Sequence, residues 1–223
     1  MITRYSRKEL TDIWSEYNKY QIWLDVEIAA AEGMEKLGTI PKGVASAVRK
    51  KAVINVKRIH NIEARVKHDV IAFLTSVTEK VGIKARYLHQ GMTSSDVVDT
   101  SFNIQLVQSG KILVKDIDQI LKVLKSKAKK YKFTPCMGRS HGIHAEPITF
   151  GLKLASYYEE FKRNRKRLIS AIDEISTCAI SGAVGTFANI NPNVEKHVAK
   201  KLGLKAEPIS TQVIPRDRHA YYF

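Results

Sequence analysis

The sequence predicts an all-α fold, in which a small N-terminal helical domain is followed by the long helices of a central multi-helix bundle. Apolar residues recur at three- and four-residue steps through most of the 223 residues, which is the period of an α-helix. No proline interrupts residues 95–131, and the same periodicity returns over residues 148–176. Helices of this length span ~40–55 Å, which is typical of the arms of an extended bundle.

The first part of the chain predicts short, closely spaced helices, and we assign it to the N-terminal domain, residues 1–92. Residues 93–223 then form an incomplete long-helix bundle domain. Ser6 and Glu9 have the spacing of a capping box, which predicts that the first helix follows an N-cap at Ser6. The remaining boundaries expected in this domain are a helix from about Lys19 to Gly38, one from Pro41, one from near Val56 and one from Asp69 to Gly82.

Polar sequence at residues 138–151 separates the two long helices. Gly138, Gly142 and Pro147 disfavour a helix there, so the sequence predicts a short loop. Three further elements are expected toward the end of the chain: a glycine-punctuated loop at residues 180–186, a short helix over about residues 194–202 and the first turns of another helix over residues 215–223.

The composition argues against several classes of protein. Lys and Arg exceed Asp and Glu by 37 to 22, for a formal net charge of +15. These charges lie mostly along predicted helix faces without a nucleic-acid-binding motif, so we expect no nucleic-acid partner. No apolar run is long enough to span a membrane, and the N-terminus has no signal-peptide core, so we expect no membrane partner. Cys136 and Cys178 lack metal-ligand spacing, which favours a cytoplasmic protein without a metal ion or other cofactor.

The residues that carry chemistry fall in three polar clusters between predicted helices. His141 and His144 lie three apart, and histidine suits proton transfer because its ordinary pKa is near neutrality. Thr93 and Ser94 precede a long helix whose first amides are free, which favours an anion site. The earliest cluster is residues 67–69, Lys-His-Asp. Three such clusters on one helical chain indicate an enzyme.

Five segments share their order and spacing with one known group of enzymes: residues 67–70 (KHDV), 91–96 (GMTSSD), 138–147 (GRSHGIHAEP), 181–186 (SGAVGT) and 212–220 (QVIPRDRHA). Together they resemble the fumarase/aspartase superfamily, and within it the adenylosuccinate lyase family. The Arg-Tyr-Ser sequence from Arg4 and the Arg-Asp-Arg-His-Ala run from Arg216 favour that family over its relatives. The similarity covers essentially the whole chain, and five matched segments are specific where one would be weak.

The resemblance implies an all-helical homotetramer, in which long helices from four subunits form the central bundle and each active site takes residues from three subunits. It also implies a small-molecule nucleotide substrate. The expected reactions of purine biosynthesis eliminate fumarate from adenylosuccinate, giving AMP, and from succinyl-aminoimidazole carboxamide ribotide on the way to IMP. Such an elimination needs a base for a carbon-bound proton, donors for the adjacent carboxylate and an acid for the departing nitrogen.

By the same resemblance, His141 is the general acid and His68 assists by positioning the substrate. From the residues alone, His68 could equally be a helix N-terminal histidine satisfied by the backbone, and Thr93 and Ser94 could also act as helix caps. We assign a supporting role to His144. The predicted substrate-binding residues are Arg4, Tyr5, Lys67, His68, Asp69, His89, Thr93, Ser94, Ser140 and Gln212, and no metal ligands are expected.

One departure from the family pattern matters. The base implied by the resemblance is a serine on a loop of the type Ser-Ser-x-Met-Pro-x-Lys-x-Asn-Pro, and these 223 residues contain no such segment. We therefore expect the N-terminal half of the enzyme, inactive by itself. Two alternatives stay open: another fumarate-releasing lyase of the superfamily (argininosuccinate lyase, aspartase or a carboxymuconate-type enzyme), and a basic helical interaction module.

Overall fold

The computed structural model describes residues 2–223 and confirms the all-α prediction, since the sheet in this part of the chain is confined to two small two-stranded pairings. None of its helices is long and apolar enough to cross a membrane. Short 3-10 turns occupy Thr3–Tyr5 and Ile83–Tyr87. The helices are α1 (Lys8–Ile13), α2 (Glu16–Leu37), α3 (Val44–Lys51), α4 (Val56–Val66), α5 (Asp69–Val81), α6 (Ser94–Lys130), α7 (Phe150–Ile175), α8 (Pro192–Leu202) and α9 (Arg216–Tyr222). The strands are β1 (Pro135–Ser140), β2 (Ile143–Thr149), β3 (Thr177–Cys178) and β4 (Lys205–Ala206).

The chain forms two compact units. The first unit contains the residues up to Gln108, then Glu174–Tyr221 and Phe223, and the second unit contains Ser109–Asp173 and Tyr222. Helix α6 contributes its first part to the first unit and the rest to the second. The sequence predicts a domain boundary between residues 92 and 93, which is not where these two units meet in the chain. The division into domains 1–92 and 93–223 stays a prediction.

Helix α2 is the centre of the first unit, and most of its side chains between Tyr20 and Met34 are buried. Ser15 caps its first turn with its side-chain oxygen, and Gly38 ends it with a left-handed φ of 72°. Tyr20 and Trp23 pack edge to face with their ring centroids 5.2 Å apart, and Phe73 of α5 stacks on Tyr20 at 6.0 Å. Burial of these rings is a main source of stability in this unit.

Helices α3 and α8 are joined to α2 through Glu32, whose side chain is only 15% exposed. Its carboxylate pairs with Arg49 of α3 and with His197 and Lys201 of α8. Gly33, the next residue, allows the close approach of α8, because a Cβ there would lie 3.3 Å from the Val194 backbone. A partly buried carboxylate that contacts Arg49, Lys201 and His197 thus links α3 and α8 to α2.

The second unit combines the later part of α6, most of α7 and the β1–β2 hairpin. Arg165 Nε of α7 donates to Asp118 Oδ1 of α6 over 2.6 Å. The rings of Tyr131 and Phe150 pack at 5.5 Å where the hairpin joins the helices. Gly151 is required at this junction, since a Cβ would lie 2.5 Å from a backbone oxygen of α6.

The predicted capping box at Ser6 is wrong. Helix α1 begins at Lys8, and its N-cap is Arg7, which makes no side-chain capping bond. The Ser6 hydroxyl instead donates to the Ile2 carbonyl oxygen over 2.9 Å and closes the preceding turn. A serine hydroxyl can accept from an amide of the following helix or donate to a carbonyl oxygen earlier in the chain. Here it donates to the earlier carbonyl and does not cap α1.

The predicted helix start at Pro41 is also wrong, because α3 begins at Val44. Gly43 precedes it with a left-handed φ of 84°, so the chain turns once more before the helix forms. The free amide of Ala45 in the first turn is satisfied from α2, where Glu35 Oε1 accepts its hydrogen bond over 2.7 Å. The expected ends at Gly38, Gly82 and Gly203 are confirmed.

Glu32 makes the stability of the first unit dependent on pH. Burial opposes its ionisation, but Arg49, Lys201 and His197 together lower the pKa of the carboxyl from 4.5 to about 2. A lowered carboxyl pKa stabilises the fold above pH 4.5, and this contribution disappears as the pH falls toward 2. We expect Glu32→Gln to lower the free energy of unfolding by about 1–2 kcal/mol at pH 7, less than the full pKa shift implies, because Arg49 and Lys201 are about half exposed and solvent screens their charges. Denaturant unfolding at several pH values should show the difference shrinking below pH 4.5; a difference independent of pH would contradict this explanation.

Candidate active site

The polar segment predicted as a loop is a β-hairpin, and the two-residue turn His141-Gly142 joins its strands. The φ angles of the two residues are 52° and 74°. Positive φ at both positions is the requirement of a type I′ turn, which suits the twist of a hairpin and usually has the sequence Asn-Gly. Histidine at the first position is strained by about 1 kcal/mol. The turn therefore holds an exposed imidazole at the hairpin tip at some cost in stability.

The hairpin also carries two other residues of interest. Ser140 is the last residue of β1, and His144 lies opposite Arg139 in the antiparallel register. A bulge interrupts the register between Met137 and Arg139, and a Cβ on Gly138 at that point would lie 2.7 Å from a backbone oxygen of β2. A bulge fixes the register of a hairpin and increases its twist. His141, Ser140 and His144 are therefore presented by a defined β structure.

His68 and Ser94 are brought together in the first unit. His68 is the N-cap of α5, where its Nδ1 accepts the Ile71 N–H over 3.4 Å. Its Nε2 lies 3.5 Å from the Ser94 hydroxyl oxygen at the start of α6. Because Nδ1 faces a backbone donor, the neutral ring carries its proton on Nε2 and donates toward Ser94. The backbone-capping role of His68 is thus observed. Its role in positioning the substrate stays a prediction, for which the backbone bond leaves the other nitrogen available.

The flanking residues of this cluster are exposed. Lys67 ends α4 in a left-handed conformation with a φ of 57°, which turns the chain sharply into α5. Asp69 Oδ1 lies 3.5 Å from His68 Nδ1, and the Asp69 side chain is about half exposed. Lys67, His68 and Asp69 are therefore all accessible to solvent at the α4–α5 connection.

Asp96 connects two of the motif loops, and sequence reasoning missed it as a site residue. The carboxylate is 1% exposed. Its Oδ2 accepts the N–H groups of Thr93 and Gly182 over 2.9 and 3.1 Å, and its Oδ1 accepts the Ser181 N–H over 3.1 Å. Burial raises the pKa of Asp96 to about 6 against these bonds and the nearby His89, so the group is mostly ionised at neutral pH. The spacing Thr-x-x-Asp at the start of a helix, a capping-box pattern, was the available signal.

A third segment joins the same cluster. The hydroxyls of Ser181 and Ser210 lie 2.7 Å apart. Gly185 has a φ of 79°, and a Cβ there would lie 2.3 Å from the Ser210 carbonyl oxygen, so these loops touch backbone to backbone. Gln212 follows in this segment and is exposed. The first unit therefore gathers residues from two of the five motif segments, 91–96 and 181–186, around Asp96, and the loop at Ser210 packs against the second of them.

His89 lies just before this cluster and is held by a residue that the sequence did not indicate. Its Nδ1 is 2.6 Å from Glu27 Oε1, and its backbone N–H donates to Glu27 Oε2 over 2.9 Å. Burial lowers the pKa of His89, but the hydrogen bond and the charge of Glu27, with a contribution from Asp96, raise it overall. Glu27 is 62 residues away in sequence, and helical periodicity alone cannot relate the two.

The N-terminal pair Arg4 and Tyr5 stays outside the cluster. The two side chains stack on each other, with the guanidinium carbon 4.7 Å from the ring centroid, and Tyr5 is largely exposed. His141 and Ser140 belong to the second unit, whereas the other predicted site residues belong to the first. Among residues 2–223, no group of three or more His, Cys, Asp or Glu side chains is arranged to hold a metal ion.

The profile of a family described as lyase matches residues 3–223. The chain belongs to this lyase family. Adenylosuccinate lyase from Streptococcus mutans is 52% identical over 223 residues, and adenylosuccinate lyase from Bacillus subtilis is 51% identical over 222. Each alignment covers all of this chain and 52% of the relative, so the chain spans about half the length of these proteins. The resemblance to adenylosuccinate lyases is thus confirmed.

Solved structures agree on the fold of this lyase. A fumarate lyase from Mesorhizobium matches with a TM-score of 0.89 at 26% identity, covering 97% of this chain and 53% of the other. The β-carboxy-cis,cis-muconate cycloisomerase from Acinetobacter calcoaceticus matches with a TM-score of 0.86 at 27% identity and the same coverage. The chain therefore shares its helical architecture with about half of each of these two enzymes.

The strained turn at His141 makes a prediction about stability. His141→Asn places the preferred residue at the first position of a type I′ turn, so we expect the hairpin to become more stable by about 0.5–1 kcal/mol. Hydrogen exchange of the amides in β1 and β2 measures this directly. Gly142→Ala is the matched control, because its added Cβ meets nothing within 4 Å yet must adopt a φ of 74°; it should destabilise the hairpin by about 1 kcal/mol. Faster exchange in His141→Asn would contradict the assignment of strain.

Proposed function

We propose that the protein to which this chain belongs is an adenylosuccinate lyase, which eliminates fumarate from adenylosuccinate and from succinyl-aminoimidazole carboxamide ribotide. The observation that carries the proposal is the identity of 52% with an adenylosuccinate lyase along all 223 residues. The solved relatives with other names share only 26–27%. This difference favours adenylosuccinate over the substrates of the other superfamily members.

His141 is proposed as the general acid. In the elimination, a base takes a proton from the carbon next to a carboxylate, the electron pair forms the double bond of fumarate, and the carbon–nitrogen bond breaks. The departing nitrogen needs a proton at that moment, and an imidazole with a pKa near neutrality can supply it. The exposed position of His141 at the tip of a hairpin leaves its ring accessible to a substrate. By the resemblance each active site takes residues from three subunits, so His141 would serve a site shared between chains.

Thr93 and Ser94 are proposed to hold a carboxylate of the succinyl group. Asp96 uses the Thr93 N–H, so the donors left for a ligand are the two hydroxyls and the first amides of α6. The helix N-terminus favours an anion at this point. His68 donates toward the Ser94 hydroxyl and would align it with the substrate. Arg4, Tyr5, Lys67, Asp69, His89, Ser140 and Gln212 are proposed as further substrate contacts.

The quaternary structure is part of the proposal. Large apolar side chains on α6 and α7 are exposed in the second unit, and these are Leu113, Ile120, Val123, Leu152 and Ile169. Apolar stripes on long helices support association into the helical bundle of a homotetramer. The base would come from the part of the relatives' length that this chain does not span. The free thiols of Cys136 and Cys178 support a cytoplasmic location.

A kinetic comparison tests the function and the acid together. The complete enzyme should release fumarate from adenylosuccinate and not from argininosuccinate, as followed by ultraviolet absorbance. We expect His141→Ala to lower kcat by ~10²–10⁴ with little effect on folding, because it removes general acid catalysis. Residues 1–223 alone should release no fumarate, because elimination needs base and acid together.

His60→Ala is the control for this experiment, since His60 is a half-exposed histidine that pairs with Glu16 on the surface. It should turn over adenylosuccinate like the wild type. Wild-type turnover in His141→Ala would contradict the assignment of His141 as the acid. Release of fumarate from argininosuccinate but not from adenylosuccinate would contradict the proposed substrate.

A further inference from the structure

The feature that neither the sequence nor the proposed reaction explains is a carboxylate in the apolar core of the first unit. Glu27 lies in the middle of α2, and its side chain is 0% exposed. An isolated buried carboxylate costs several kcal/mol unless it is paired and hydrogen-bonded. Both oxygens of Glu27 bond to one residue, His89: Oε1 to the ring Nδ1 over 2.6 Å and Oε2 to the backbone N–H over 2.9 Å. The core therefore holds the ring and the backbone of His89 at the same time.

His89 has an uncommon backbone conformation that such a clamp can maintain. Its φ is 61°, a region that costs a non-glycine residue on the order of 1 kcal/mol. Its carbonyl oxygen accepts the Met92 N–H over 3.3 Å, which closes a turn that leads directly into Thr93 and Ser94. Gly91 inside this turn packs so tightly that a Cβ would lie 2.1 Å from the Asn189 carbonyl oxygen. The position of His89 is thus coupled to the start of α6.

The charges around the ring favour its protonated form. Glu27 of α2 and Asp96 of α6 are the charged groups that face His89, and both are acidic. With Nδ1–H directed at Glu27, the protonated form of the ring carries its second proton on Nε2. No hydrogen bond within residues 2–223 uses Nε2, and the side chain is 17% exposed. In its protonated form, His89 therefore has an N–H at Nε2 left for an anionic ligand, on a residue whose backbone turn leads into Thr93 and Ser94.

We propose that Glu27 is a positioning residue for substrate binding: it fixes His89 so that Nε2–H binds an anionic oxygen of the substrate. This inference rests on the proposed function for the identity of the substrate, whose anionic oxygens belong to a phosphate or to the succinyl carboxylates. Glu27 itself touches no substrate. Glu27 acts on the substrate only through His89: it sets which ring nitrogen is protonated, favours the charged ring and holds the backbone turn.

The first test needs no catalysis. In the chain of residues 1–223, proton–nitrogen NMR of the imidazoles should show Nδ1 of His89 protonated and its pKa above the ordinary value for histidine. Glu27→Gln should lower that pKa by at least about one unit, because it replaces a paired carboxylate with a neutral amide. The matched control is Glu195→Gln, a buried carboxylate that accepts the Ile180 N–H and contacts no histidine; it should leave the titration of His89 unchanged. If Glu27→Gln does not fold, the wild-type titration decides, and a His89 pKa at or below the ordinary value overturns the proposal.

The second test uses the complete enzyme. Glu27→Gln should raise KM for adenylosuccinate about tenfold with kcat little changed, since uniform substrate binding is lost. Binding of AMP alone and of fumarate alone to the same variant identifies the oxygen: weaker AMP binding assigns His89 to the phosphate, and weaker fumarate binding assigns it to a carboxylate. An unchanged KM with normal turnover of adenylosuccinate overturns the role of Glu27 only. A wild-type enzyme without activity on adenylosuccinate overturns the proposed function, while the NMR result stands by itself.

Discussion

The side-chain carboxylate of Asp96 accepts three backbone N–H bonds from two separate loops, and the candidate site in the first unit depends on it. It satisfies the N-cap amide of α6 and, at the same time, the amides of Ser181 and Gly182, 85 and 86 residues away in sequence. A buried carboxylate is unstable without such partners, so the loops and the charge require each other. The turn that begins with His89, and the Ser210 segment that reaches Gln212, are arranged around this centre.

Two residues of the proposed site have conformations or environments that cost free energy, one in each unit. The hairpin tip has a histidine where asparagine would suit the turn better, and the core of the first unit contains the carboxylate of Glu27, which serves His89. Both leave an imidazole nitrogen available to a ligand. Strained residues and buried polar groups are common at active sites. They support the binding and acid roles proposed for His89 and His141.

The sequence predicted elements with local causes. Helices α2, α5 and α8 end at glycines where expected, because the positive φ that glycine readily adopts ends a helix locally and depends little on the tertiary contacts. The sequence did not predict the β1–β2 hairpin, because its turn has the sequence His-Gly and not Asn-Gly, which is the usual signal of a two-residue hairpin turn. His68 and Ser94 could be predicted from motifs, and the structure joins them. Glu27 could not be assigned a role, because its partner His89 lies 62 residues away in sequence and a lone buried carboxylate has no periodic signature. Asp96 had a local signal in its spacing from Thr93, but its bonds to Ser181 and Gly182 are too distant in sequence to predict.

Hydrogen exchange of Asp96→Asn tests most directly whether this carboxylate holds the two loops together. Asparagine offers one acceptor oxygen and turns its NH₂ group toward a backbone donor, so the amides of Thr93, Ser181 and Gly182 should exchange at least about tenfold faster than in the wild type. Asp99→Asn is the control, because Asp99 is buried one turn later and accepts the Ile214 N–H instead. This variant should speed the exchange of the Ile214 amide and leave the amides of Thr93, Ser181 and Gly182 protected. Unchanged protection of Thr93, Ser181 and Gly182 in Asp96→Asn would contradict the account.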